Sequence, residues 1–144
     1  MRMYARFSIA TAIGVGLLAT SVPQASAAAP HTDFTCKSPK GDVGTVRVFH
    51  SKDTFKVTSM HYKIKLAGPK RHHNNVYVHD YKAAPGKTDV VSKTGDNGKG
   101  DNKWHKFREK DYSRSNKAKL YVKFDFDHSG ADPHCDDFGP LKKR

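Results

Sequence analysis

Lys119-Leu120-Tyr121-Val122-Lys123-Phe124-Asp125-Phe126-Asp127 places an apolar residue at every second position. Successive side chains of a strand point to opposite faces. Leu120, Val122, Phe124 and Phe126 therefore share one side, and Tyr121, Lys123, Asp125 and Asp127 the other. A helix would scatter the same residues around its circumference. The stretch predicts a strand with one buried and one wet face, the pattern of antiparallel sheets.

Working outward, the same reading applies elsewhere. Phe55 and Val57 share a face, and Met60, Tyr62, Ile64 and Leu66 share a face, but the phase slips by one between Val57 and Met60. A strand that keeps its core contact through such a slip needs a β-bulge near Thr58-Ser59. Val43–His50, Val76–Lys82, Thr88–Thr94 and Lys103–Arg108 read as further strands, the last carrying Trp104 and Phe107. Turn-forming clusters separate them: Ala67–Asn75, Ala84-Pro85-Gly86, a flexible loop over Gly95–Asn102, and Ser113–Asn116. No window of helical length has a 3.6-residue period. The expected fold is all-β: one antiparallel β-sandwich, immunoglobulin-like or a small Greek key.

The N-terminus sets the compartment. Arg2 and Arg6 precede an uncharged run of 13 residues, Phe7 to Ala19, and Ala25-Ser26-Ala27 closes it. That is the three-part secretory signal, with cleavage expected after Ala27. The run is too short for a spanning helix, which needs about 20 apolar residues. The domain reading is a signal peptide over 1–27, a flexible lead over 28–35, a β-sandwich over 36–138 and a basic tail over 139–144. An extracellular location follows, and there the two cysteines, Cys36 and Cys135, are expected to form a disulfide closing a loop of about 100 residues. In this reading Cys36 precedes the first strand and Cys135 follows the last strong one.

Arg2 and Arg6 are two of the 26 Lys and Arg residues, so 24 remain beyond the signal against 14 acids, a formal charge of +10. Such a charge on a small domain favours polyanions: an anionic polysaccharide, a cell-wall polymer, nucleic acid or anionic lipid.

Cys36-Lys37-Ser38-Pro39-Lys40-Gly41 near the start and Asp132-Pro133-His134-Cys135 near the end give the chain a recognisable layout. It resembles the small secreted two-cysteine proteins of actinobacteria such as the streptomycetes. The resemblance implies export, the disulfide and a β fold, and it supplies no catalytic residue.

Several constellations could carry chemistry. Asp125, Asp127 and Ser129 open a D-x-D-x-S-G calcium loop whose twelfth position is Asp136. Against it stand the strand character of Phe124 and Phe126, Pro133 at the ninth position, and Asp in place of the longer bidentate Glu. No metal or other cofactor is the expectation. His72-His73 in a loop, with His61 and His79 on strands, lack the spacing of three or four convergent zinc ligands. Glu109 with His105 and Arg108 would suit a basic secreted ribonuclease, yet His105 and Glu109 on a strand stand about 13 Å apart. No Gly-x-Ser-x-Gly elbow, phosphate loop or His-Glu-x-x-His motif occurs.

What remains is a surface. His61, Lys63, Lys65, Lys119 and Lys123 fall on outward positions of the two strongest strands, with Tyr121 among them and Tyr77, His79 and Tyr81 in a row along another. Rings give stacking and lysines give charge, a pairing suited to anionic or saccharide polymers. The expected function is non-enzymatic binding of such a polymer by a secreted monomer. The alternatives are a basic hydrolase or toxin of ribonuclease type and a proteinase inhibitor presenting the Gly95–Asn102 loop.

Overall fold

Alternation decides which segments become strands. The computed structural model describes residues 29–81, 88–95, 97–107 and 119–142. Within them lie eight strands and no helix: β1 (His31–Lys37), β2 (Val43–His50), β3 (Val57–Lys65), β4 (Asn75–Tyr81), β5 (Thr88–Lys93), β6 (His105–Lys106), β7 (Lys119–Asp125) and β8 (His134–Pro140). They form two antiparallel four-stranded sheets, ordered β1-β2-β3-β6 and β5-β4-β7-β8. The fold is the β-sandwich expected. Unrolled around the sandwich the order is 1-2-3-6-5-4-7-8, so β7 returns beside β4 after the β4-β5-β6 run, which is a Greek key.

Every residue placed inward on β7 is fully buried: Leu120, Val122, Phe124, and Phe126 just beyond it. Val76 and Val78 extend that layer, facing Phe34, Val46, Val48, Met60, Tyr62 and Ile64 of the first sheet. The phase slip in β3 is resolved as the sequence requires. Phe49 pairs with Ser59 and His50 with Val57, so Thr58 is the extra residue, and Val57 stays buried on the same side as Met60. Phe124 lies flat against the backbone of β2: a Cβ built on Gly44 would come within 2.4 Å of its ring. That approach brings the two sheets together at their centre.

One flank of the sandwich, where β1 and β8 meet, is tied shut. The Cys36–Cys135 disulfide spans it with the Cα atoms 5.7 Å apart. The Thr35 amide donates to the Asp137 carboxylate at 2.8 Å, and the Lys142 amide to the Thr32 hydroxyl at 2.7 Å. An antibody domain places its disulfide between inner strands of its two sheets; here it joins edge strands.

Three boundaries differ from the sequence reading. The flexible lead expected over 28–35 is strand from His31 onward, with Thr32, Phe34 and Cys36 facing in. Cys36 and Cys135 lie inside β1 and β8 rather than outside the outermost strands. The basic tail expected from residue 139 begins inside β8, and Leu141 is buried beyond it. The loop expected to be flexible over Gly95–Asn102 is fastened by backbone hydrogen bonds from Gly98 to Asn74, Gly100 to Arg71 and Asn102 to Ile64. Asn74, fully buried, locks the same corner: its side chain donates to Arg71 and Gly98 carbonyls and accepts from the Asp127 amide. The signal segment, the Ala84-Pro85-Gly86 turn and Ser113–Asn116 lie outside the described residues.

Candidate functional site

β3 and β7, the two strands that carry the expected binding surface, belong to different sheets. Their outward positions therefore face opposite sides of the molecule. The set read from sequence as one surface is two: His61, Lys63 and Lys65 on the first sheet, and Tyr77, His79, Lys119, Tyr121 and Lys123 on the second. Tyr81 pairs with Lys119 at the end of the second sheet.

On the first face, strand pairing sets Arg47 between Asp33 and His61, and sets His61 opposite Lys106. Arg47 donates Nε and Nη2 to the two Asp33 carboxylate oxygens at 2.8 and 2.7 Å, the bidentate geometry that fixes a guanidinium in place. The indole of Trp104, just before β6, lies 4.6 Å from the Arg47 guanidinium carbon and 4.8 Å from Lys63 Nζ. It keeps 37% of its surface exposed. Phe49 stands between the rings of His31 and His61, at 5.7 and 5.2 Å. Lys37, Arg47, Lys63, Lys65 and Lys106 occupy outward strand positions here, and Asp33 is the one carboxylate among the outward positions of β1, β2, β3 and β6. The excess of positive charge is felt locally: burial first, then Lys106 and Arg47, hold the His61 imidazole below its ordinary pKa.

The second face is an aromatic band with little net charge. Val90, His79, Tyr121 and Phe138 form one row across all four strands. His79 and Tyr121 rings lie 5.7 Å apart, and Val90 and Phe138 are 49% and 45% exposed. Lys123 reaches over Tyr77, and Lys119 over Phe138. Lys123 also pairs with Asp125 at 2.9 Å, and Asp136 is its cross-strand neighbour, so carboxylates offset the cations. Burial and then Lys123 depress the His79 pKa, and its buried Nδ1 has no hydrogen-bond partner among the described residues. Burial and then Asp136 raise the Tyr121 phenol.

The calcium constellation does not assemble. Asp125 is engaged by Lys123, Asp136 sits on β8 opposite Lys123, and Asp127 is held by the Asn74 side chain with Arg71 at 4.0 Å. Strand pairing, which the loop pattern ignores, sets Lys123 beside both Asp125 and Asp136, and Ser129 is exposed in the connection between β7 and β8. His61, His79 and His72 lie on the first face, the second face and the β3–β4 loop. Among the described residues no three His, Cys, Asp or Glu side chains converge on a metal position. In the ribonuclease constellation His105 is described, while Arg108 and Glu109 lie outside the described residues.

Sequence reasoning missed Trp104, Arg47 and Phe49. The signal was present: Trp104 and Phe107 are three residues apart, so an extended chain puts them on opposite faces. Phe107 is the buried one. Among the described residues no helix is long and apolar enough to cross a membrane. No family model, no curated protein and no solved structure matches this chain.

Proposed function

We propose that this is a secreted, non-enzymatic protein that binds an anionic extracellular polymer through the outer face of the β1-β2-β3-β6 sheet. The observation that carries the reading is Trp104 seated against Arg47 and Lys63 on a face with five outward cations and one carboxylate. A ring beside fixed cations can stack on a sugar or base while ammonium and guanidinium groups meet the anions. The opposite face, with Lys93, Lys119 and Lys123 against Asp125 and Asp136, lacks that charge excess. Export rests on the signal-like N-terminus and agrees with the disulfide.

Trp104 is the only tryptophan in the chain, so its fluorescence reports on the proposed face directly. Titration with heparin, a wall teichoic acid or RNA at low salt should shift its emission. With about four anionic groups contacted, affinity should fall about a hundredfold between ~50 and ~200 mM salt. Bound anion favours the charged imidazole, so the His61 pKa, followed by proton NMR, should rise in the complex. Polyanion binding that leaves Trp104 emission and the His61 titration unchanged would overturn the placement. Indifference to every polyanion at low salt would overturn the function.

A further inference from the structure

Opposite the disulfide flank, the β6 edge of one sheet and the β5 edge of the other leave a cleft of about 330 Å³ between them. Its basic side chains come from four separate segments: Lys93 at the end of β5, Lys99 in the loop that follows, His105 and Lys106 on β6, and His72 in the β3–β4 loop. No carboxylate is among the described residues that line it. The loop is not free to relax away from the cleft. Gly98 and Gly100 bond to the backbone of Asn74 and Arg71, and the Lys99 amide donates to the Tyr62 hydroxyl at 3.4 Å. His105 is also held: its ring lies 5.4 Å from that of Tyr62, and Asp101 engages its Nε2 at 2.8 Å. The Asp101 contact occupies one ring nitrogen and leaves Nδ1 for a ligand.

We infer that this cleft binds a phosphate group, with Lys93, Lys99 and Lys106 as its ammonium donors. Three like charges in one small cleft repel one another, and a compact anion of nearly two charges offsets that repulsion. Lysine meets phosphate as a point charge and needs no planar fork. A volume of this size sits at the lower end of small-ligand sites and holds the phosphate with part of an attached sugar. The inference deepens the proposed function, because a cleft beside the polymer-binding face, joined to it through Lys106, favours a polymer that ends in a phosphomonoester of nearly two charges over one that offers only carboxylates, sulfates or phosphodiesters of one charge each. Lys93 and Lys99 line the cleft and are not among the cations of that face, so varying these two lets the cleft and the face fail separately.

The test uses the oxidised protein. Inorganic phosphate titrated at low ionic strength should give saturable NMR shifts at the amides of His72, Asn97 and Lys99. The Lys93→Gln/Lys99→Gln double variant should weaken this by about a hundredfold, about tenfold for each lost charge-assisted contact. Lys142→Gln, which removes one positive charge at the disulfide flank, should leave it unchanged. Circular dichroism and thermal unfolding establish that both variants are folded. A phosphate-ended oligomer that binds more tightly than its dephosphorylated form identifies polymer phosphate as the ligand; tighter binding of inorganic phosphate than of the oligomer identifies the free ion, and either supports the cleft. Absence of saturable shifts, or equal phosphate affinity in the double variant, overturns it. If phosphate binds here while long polyanions leave Trp104 emission unchanged, the cleft stands and the face assigned to the polymer falls.

Discussion

Gly44→Ala is the sharpest test of how the two sheets meet. Gly44 lies on β2 facing inward, and a Cβ there would stand 2.4 Å from both Cγ and Cδ1 of Phe124. Carbon atoms prefer about 3.5–4.0 Å, so the ring or the strand must give by about 1 Å. The ring has little room. Phe124 is fully buried, stacked on Phe126 at 5.9 Å with the planes 5° apart, and paired across the strand with Cys135, whose disulfide partner Cys36 pairs with Gly44. Overpacking of this kind destabilises by about 1–3 kcal/mol. Replacing a strand glycine by alanine would otherwise stabilise by roughly 0.5–1 kcal/mol. The packing effect wins, and the melting temperature should fall by about 5–15 °C on the scale for domains near 100 residues. Chemical denaturation of Gly44→Ala, Phe124→Leu and the double variant closes a thermodynamic cycle. The smaller ring site should accept the new methyl, so the double variant should be more stable than the sum of the single losses predicts. If Gly44→Ala is neutral or stabilising, the ring does not lie against this strand and the sheet-to-sheet packing argued above is wrong.

Removing the disulfide by Cys36→Ala with Cys135→Ala should lower unfolding stability by up to ~4–5 kcal/mol on the chain-entropy account; titratable thiols in the native exported protein would contradict the bond. Acidification should destabilise in two stages. His61 and His79 have depressed folded pKa values, so the unfolded chain takes up their protons first, and their contribution is intact above about pH 6.5 and lost as pH falls through the folded values. Burial alone would raise Asp42, but hydrogen bonds from the Ala67 amide and Ser38, with His128 beside them, hold it below 3.8, and this second contribution is lost only below about pH 4. Urea midpoints between pH 8 and pH 3 read both stages; His79→Gln should diminish the first alone, and a flat profile from pH 7 to pH 5 would refute the assignment.

The strands with strict alternation were legible, and the bulge at Thr58 followed from one phase slip, because a buried face permits no other register. β1 hid its alternation by using Thr32 and Cys36 as inward residues, neither of which counts as plainly apolar. β8 hid its own behind two aspartates, a glycine and a terminal proline, residues depleted in strands and tolerated at an edge. Which side of its own strand each of His61, Lys63, Lys65, Tyr77, His79, Lys119, Tyr121 and Lys123 occupies was legible from alternation. Their grouping was not, because alternation says which way a side chain points within a strand and nothing about which sheet the strand joins. The cleft was beyond reach for the same reason: Lys93, Lys99, Lys106 and His72 come together only through the Greek-key crossing.

The two flanks of this sandwich are closed by different means, and that asymmetry gives the molecule a spine and a fore-edge. At the spine a covalent bond and two side-chain-to-backbone hydrogen bonds bind β1 to β8 and to the residues that follow it. At the fore-edge the two residues of β6 and a few loop amides hold the margin. Amide hydrogens along the spine should exchange with solvent only when the whole domain unfolds, whereas those of Gly100, Asn102 and Phe107 should exchange through local opening. Whatever occupies the fore-edge then acts as a clasp: it slows exchange there and leaves the spine as it was.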